Sequence, residues 1–369
     1  MVRSGMALLA GLFILGVLPG DLVWAKTWTD REGNEIEAEL VGYSPADEVV
    51  TVLKQGKEFR LPLARLSDGD RDFVLSFHAN KVKANAARAG ELRGLFDSVP
   101  VEKRAFPTPE GYLGTKDAQR YVQSFLWRGE TPLQALGYDP AKERLAIWAP
   151  ENYDGVTPFG VYVCISPSPQ AWHPRGEYEA LFEKHRLIVV SAYDAGNGHH
   201  LFRRVGLALD GLATVHAKYE TDPARYYVGG VSGGGICSTH SAFLYPDHFQ
   251  ASFNIVRGAL IDSYVMPREI PGHYEKGKKY GNTWPFMKEE DWERMAKERP
   301  DSRWVFISGE KDYNYDFARE SEGQWMQRGF VARFFDVPGM AHTNAPAEWF
   351  EKALLWVEES REARTVMLD

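Results

Sequence analysis

Seven short apolar runs recur through the last two thirds of the chain, at Arg144–Trp148, Gly160–Ile165, Leu187–Ala192, Tyr226–Val231, Ala251–Val256, Trp304–Ser308 and Val331–Val337. Their β-branched and aromatic content, without strict alternation, is what a strand buried on both faces requires. Helix periodicity fills the gaps. Val205, Leu209, Leu212, Val215 and Tyr219 return every three or four residues, and Trp349, Phe350, Leu354, Leu355 and Val357 do the same near the C-terminus. Strand and helix alternating in this way predict an α/β fold, a mostly parallel sheet with helices on both faces. The alternation fails between Ile261 and Pro300, where Tyr264, Met266, Tyr280, Trp284, Phe286, Met287 and Trp292 crowd an irregular stretch. Such an excursion from a compact fold is usually functional, and residues 261–300 are expected to form a substrate cap. Trp284 and Phe286, together with Trp172, are taken as substrate-binding positions.

The N-terminal part reads differently. Ile36, Ala38 and Leu40 alternate with Glu35, Glu37 and Glu39, the period-two mark of a half-buried strand. Val49–Leu53 and Phe59–Leu63 predict two more strands around a turn at Gln55-Gly56-Lys57, and Ser67 opens a brief helix through Phe73 and Leu75. Residues 26–78 are therefore expected to be a self-contained β module. Residues 79–113 are rich in Ala, Lys, Arg and Glu and then broken by Pro100, Pro107 and Pro109, the pattern of a short solvated helix and a linker. On this reading residues 114–369 hold the chemistry, and a chain starting near Ala105 is expected to fold. Ahead of the module, Arg3, the apolar run Met6–Leu18 and Val23-Trp24-Ala25 read as a signal peptide, residues 1–25, cleaved near Ala25. A secreted or periplasmic location is the expectation.

Composition narrows the function. With 44% hydrophobic and 25% charged residues the chain is globular, and a net charge of −8 argues against a nucleic-acid partner. Cys164 and Cys237 are its two cysteines, each in an apolar segment, so no disulfide framework is expected. Gly196-Asn197-Gly198 lacks the third glycine of a dinucleotide fingerprint. His199 and His200 are adjacent, so their side chains point apart and no third ligand stands near them. No cofactor and no metal are expected.

Nucleophilic chemistry has a clearer signal. Gly230-Val231-Ser232-Gly233-Gly234 fits G-x-S-x-G, with an apolar strand before it and a small-residue helix after it. That is the setting of a nucleophile elbow, a sharp turn that exposes a serine hydroxyl. A hydroxyl needs a base, and the base an orienting acid. Of the histidines after the serine, His240 and His248 belong to the helix leaving the turn, and His273 to the excursion. Only His342 follows a late strand. The acid is expected after the strand before that, where Gly309-Glu310-Lys311-Asp312 makes Asp312 the first choice, with Asp316 and Glu310 as substitutes and Asp262 as rival.

These motifs carry two resemblances. The run Trp28-Thr29-Asp30-Arg31 through Gly33, then Leu61-Pro62-Leu63 and Leu66-Ser67, resembles the small SH3-like Sla-type homology module. It implies binding or tethering to a protein or cell-envelope partner. Ile165-Ser166-Pro167-Ser168, the serine motif, Gly309–Asp312 and Pro338-Gly339 before His342 resemble the α/β-hydrolases grouped with polyhydroxyalkanoate depolymerases and feruloyl or acetylxylan esterases. That resemblance implies an acyl-enzyme on Ser232, His342 as base, Asp312 as orienting acid, Gly233 as one oxyanion donor and a small or polymeric ester as substrate. The family strand usually ends His-Gly; Ser166-Pro167 stands here, and Pro167 has no N–H. Ser168 or Gln170 is the candidate second donor.

Overall fold

The computed structural model describes residues 25–45, 48–54, 57–106, 108, 111–112, 116, 118–120, 137, 139–259, 264–265, 279–280 and 288–368. Residues 1–24 of the expected signal peptide, the expected turn at 55–56, and Trp284 and Phe286 of the expected cap lie outside them. Strands β1 (Ala25–Thr29), β2 (Glu35–Ser44), β3 (Val49–Lys54) and β4 (Lys57–Pro62) pair antiparallel in chain order. Their inner face gathers Trp28, Ala38, Val50 and Val52 with Leu63, Leu66 and Val74. The Trp28 indole N–H donates to the Ala38 carbonyl at 2.9 Å, so the one polar atom of that ring is satisfied inside the core. Ser67 caps helix α1 (Asp68–Arg88), accepting from the Asp70 amide at 3.3 Å.

Two expectations about residues 79–113 need correction. Helix α1 runs 21 residues, through the expected boundary at 78, because nothing after Ala79 breaks it before Gly90. The expected linker instead holds β5 (Gly94–Pro100), which pairs with β6 (Arg144–Ala149) as an edge strand of the main sheet. A bulge between Phe96 and Val99, with Ser98 at φ 56°, interrupts its alternation and conceals it in the sequence. Helix α1 also docks on the larger sheet domain. The Lys81 ammonium lies 3.8 Å from the Glu220 carboxylate and donates to the His216 carbonyl at 3.4 Å. At Gly155 a Cβ would stand 2.4 Å from the Asn85 carbonyl oxygen, so only glycine admits the helix there.

The main sheet continues with β7 (Phe159–Cys164), β8 (Leu187–Ala192), β9 (Thr221–Val231) and β10 (Ala251–Ile255). Beyond a two-stranded pair, β11 (Tyr264–Val265) and β12 (Lys279–Tyr280), it closes with β13 (Arg303–Ser308) and β14 (Val331–Asp336). The spatial order is β14-β13-β10-β9-β7-β8-β6-β5. From β14 to β8 every pairing is parallel; β6 runs antiparallel to both its neighbours. This is the strand order of the α/β-hydrolase fold. Helices α2 (Glu177–Lys184), α3 (Leu201–Lys218), α4 (Gly233–Leu244), α5 (Glu289–Glu298), α6 (Tyr315–Gln327) and α7 (Ala347–Leu368) cover it. Val205 and Leu209 of α3, Phe243 of α4 and Trp325 of α6 bury against one face, Phe182 of α2 and Phe350 and Leu354 of α7 against the other. Within the excursion, Trp292 of α5 packs on Phe243 at 5.1 Å and joins this core.

Helix α4, which starts at the candidate serine turn, is fastened to the sheet by a buried polar knot. The hydroxyls of Ser238, Thr239 and Ser252 stand 2.9, 2.8 and 2.7 Å from Asn254 Oδ1, and Asn254 Nδ2 donates to the Val305 carbonyl at 2.8 Å. Fully satisfied networks of this kind specify one packing, and each unpaired member would be costly.

The packing generates two expected outcomes. A chain beginning at Ala105 loses α1 and β5, baring the edge of β6, so it should aggregate or melt well below the full-length chain; soluble yield and melting temperature test this. Burial also holds His216 and His240 neutral, with pKa values pushed down to about 3 and about 4 from 6.5. The folded values are depressed, so this stability is complete above pH 6.5 and lost as the unfolded chain takes up protons below it. The loss should be about 2 kcal/mol per histidine at pH 5. Denaturant titrations at pH 7 and pH 5 should show it, and His240→Gln should shrink the difference by about half.

Candidate active site

The turn between β9 and α4 forces one residue into a sparsely populated backbone region. Ser232 has φ 57° and ψ −117°, at a cost of roughly 1–3 kcal/mol. Its amide donates to the Ile255 carbonyl on β10 at 2.9 Å, and its own carbonyl accepts from Ile236 at 3.2 Å, so both backbone groups hold the turn. The neighbouring strand leaves no room beside it. A Cβ at Gly230 or Gly234 would lie 2.3 or 1.9 Å from the Ile165 carbonyl oxygen. The glycines of the motif are thus set by the approach of β7. Gly233, as the first residue of α4, keeps its N–H outside the intrahelical ladder.

Because β9, β10, β13 and β14 are parallel, the loops that follow Val231, Ser308 and Asp336 open on one edge of the sheet. Asp312 is 1% exposed and holds three donors. The Ser308 hydroxyl reaches its Oδ2 at 2.6 Å, the Asn314 amide its Oδ1 at 3.1 Å, and His342 Nδ1 the same Oδ1 at 2.8 Å. The carboxylate therefore fixes the tautomer, with the proton on Nδ1 and Nε2 left as an acceptor. Tyr313, 52% exposed, stacks on the imidazole at 4.1 Å between ring centroids. No motif announced Tyr313; its adjacency to Asp312 was the only signal. Among the described residues no hydrogen bond joins Ser232 to His342, and the acid–base pair is assembled without it.

The remaining carboxylates and histidines have other places. Glu310 accepts the Gly339 amide at 2.9 Å through each oxygen and steadies the loop that carries His342; that bond lowers its pKa. Asp316 stands in the first turn of α6. Asp262 and His273 lie outside the described residues. His240 is buried, with Nδ1 on the Ile236 carbonyl at 2.7 Å, and His248 packs against Phe106. His200 caps α3, accepting the Phe202 amide at 3.1 Å. Burial pushes both the Cys164 and Cys237 thiols up to about 12, and the two remain free.

Beside the serine turn lies the loop after β7. Ser168 is there, but its amide is engaged: it donates to Ser166 Oγ at 3.1 Å, while the two hydroxyls stand 3.0 Å apart. Gln170 offers its carbonyl to the Ser168 hydroxyl at 3.5 Å. Trp172, partly buried, packs edge-on against Tyr178 and Phe182 at 5.5 and 6.2 Å and so rests on the core under α2. The unforeseen residue is Arg204, 4% exposed. Its Nε, Nη1 and Nη2 donate to the carbonyls of Ala195, Gly233 and Ser166 at 2.5, 3.2 and 3.0 Å. One guanidinium thus ties the loops after β7, β8 and β9. Its position inside an apolar helical stripe concealed it.

No protein-family model matches the chain, and no curated protein matches it. Solved structures similar to it include an acetyl xylan esterase from Aspergillus awamori, at 17% identity over 60% of this chain and 96% of that one, with a TM-score of 0.41. A ferulic acid esterase is similar at 15% identity over 59% of this chain and 90% of the other, TM-score 0.41. A dipeptidyl aminopeptidase IV-like chain from Bacteroides ovatus is similar at 17% identity, TM-score 0.43; 59% of this chain spans 33% of its length. By its own strand order, with Ser232, Asp312 and His342 after the fifth, seventh and eighth strands of the main sheet, the chain has the α/β-hydrolase fold.

Proposed function

We propose that this chain is a secreted serine hydrolase of the carboxylesterase type, acting through an acyl-enzyme on Ser232. The observation that carries the reading is the 2.8 Å bond from His342 Nδ1 to a buried Asp312, on the same sheet edge as a serine held at φ 57°. Ser232 Oγ attacks the ester carbonyl and His342 Nε2 takes its proton. Asp312 keeps the imidazole in the required tautomer and stabilises the imidazolium. His342 then protonates the leaving alkoxide, and a water activated by the same base releases the acid. The cycle requires the Ser232–His342 bond in the Michaelis complex, where such bonds tighten. The N-terminal sheet contributes no proton-transfer group to this edge, and its SH3-like reading assigns it placement on a protein or cell-envelope partner.

A fluorophosphonate probe should label the wild type and leave Ser232→Ala unlabelled. Turnover of p-nitrophenyl acetate should fall by about 10⁶-fold in Ser232→Ala and His342→Ala and by about 10⁴-fold in Asp312→Asn, and the double variant Ser232→Ala/His342→Ala should lose little more than either single one, because members of such a unit are not additive. Labelling at full strength in the alanine variant, or a wild type that hydrolyses no ester across a chain-length panel, would overturn the assignment and leave a hydrolase-fold binding protein.

A further inference from the structure

The loop between β8 and α3 carries Gly196-Asn197-Gly198, which lacks the third glycine of a dinucleotide fingerprint, and it is stitched to the loop after β7. Asn197 donates its amide to the Pro167 carbonyl at 3.0 Å, and Asp194 donates to the Pro169 carbonyl at 2.8 Å. From there the Asn197 carboxamide reaches over the serine turn. A Cβ built on Gly233 would meet its Oδ1 at 2.0 Å, its Cγ at 2.7 Å and its Nδ2 at 3.1 Å. Among the described residues this carboxamide makes no hydrogen bond. Asn197 is exposed, so its carboxamide stands over the turn after the candidate nucleophile and within reach of a ligand that arrives there.

Of the loop after β7, Gln170 keeps its amide as a candidate donor, but its neighbours towards the turn offer little. Pro167 and Pro169 have no N–H, and the Ser168 amide is engaged by Ser166 Oγ. We infer that Asn197 supplies the second oxyanion donor, its Nδ2–H bonding the carbonyl oxygen as it becomes negative, beside the Gly233 amide. The inference rests on the serine-hydrolase reading of Ser232. As the Ser232 Oγ–carbon bond forms, the carbonyl π pair moves onto oxygen and the serine proton passes to His342. When the alkoxide leaves with that proton, the pair returns. The terminal amide torsion is broad and roughly two-fold, so a half-turn brings Nδ2 to the place held by Oδ1. Arg204 is the positioning residue: it grips the carbonyls of Ala195, Gly233 and Ser166, and so fixes the spacing between the Asn197 loop and the turn.

The test compares Asn197→Ala, Asn197→Asp and Ser232→Ala in the full chain, with p-nitrophenyl acetate as substrate and an aryl trifluoromethyl ketone as tetrahedral-adduct inhibitor. Asparagine and aspartate fill the same space, but a carboxylate cannot donate. Both Asn197 variants should lose about 10²–10³-fold in kcat with KM changed less than about threefold, and should weaken ketone inhibition by a similar factor. If Ser232→Ala is inactive while a folded Asn197→Asp stays within about threefold of wild type, the inference is overturned. Retention by Asp with loss by Ala would mean that the side chain only fills space, and a loss confined to KM would mean substrate binding; either rejects the donor role. Should Asn197→Ala fail to fold, Asn197→Leu, close in volume and with neither charge nor donor, replaces it, and full kcat in that variant overturns the inference. Turnover that persists in Ser232→Ala would instead remove the serine reading itself.

Discussion

The site depends on one steric constraint, the approach of the Ile165 carbonyl to the turn between β9 and α4. That oxygen would lie within 2.3 Å of any Cβ at Gly230 or Gly234, so the motif glycines are there because β7 runs against the turn. With side chains excluded, the backbone folds tightly enough to hold Ser232 at φ 57°, and α4 starts directly beneath it. The strain is local. The groups that sustain it lie behind: the Asn254 knot binds α4 to β10, and the Ser232 amide is held by the Ile255 carbonyl.

Polar groups in this interior serve as fasteners. Arg204 replaces its lost hydration with three carbonyls from three separate loops, which satisfies the cation and sets the distances between those loops at the same time. Asp312 works similarly, with two fixed donors besides His342 to define where its oxygens stand. Glu310, one turn away and exposed, secures Gly339 and with it the approach of the histidine loop. The candidate catalytic edge is thus held by bonds that run between loops, while the apolar cores on the two faces hold the sheet itself.

Strands of the parallel sheet were legible because a strand buried on both faces must be continuously apolar, and the seven predicted runs differ from the observed elements by a few residues at most. The Ser232 turn was legible for a similar reason: its requirements are local and leave glycines behind. The N-terminal boundary was not. β5 carries a bulge at Asp97-Ser98, and α1 leaves Phe73, Leu75 and Phe77 exposed, so neither shows the period that marks its role; both are defined by partners far along the chain, β6 and Glu220.

Sequence order by itself determined which residues follow which strand, and hence that Ser232, Asp312 and His342 share one edge once the strands are parallel. Only the tertiary structure decided that Asp312 takes His342, that the Ser168 amide is engaged, that Trp172 rests against the core under α2, and that Arg204 and Asn197 stand beside the turn. The physical reason is one of range. Periodicity and turn chemistry are encoded within a few residues, whereas a buried cation or a carboxamide takes its meaning from carbonyls brought together from three loops, and nothing in its own neighbours records that meeting.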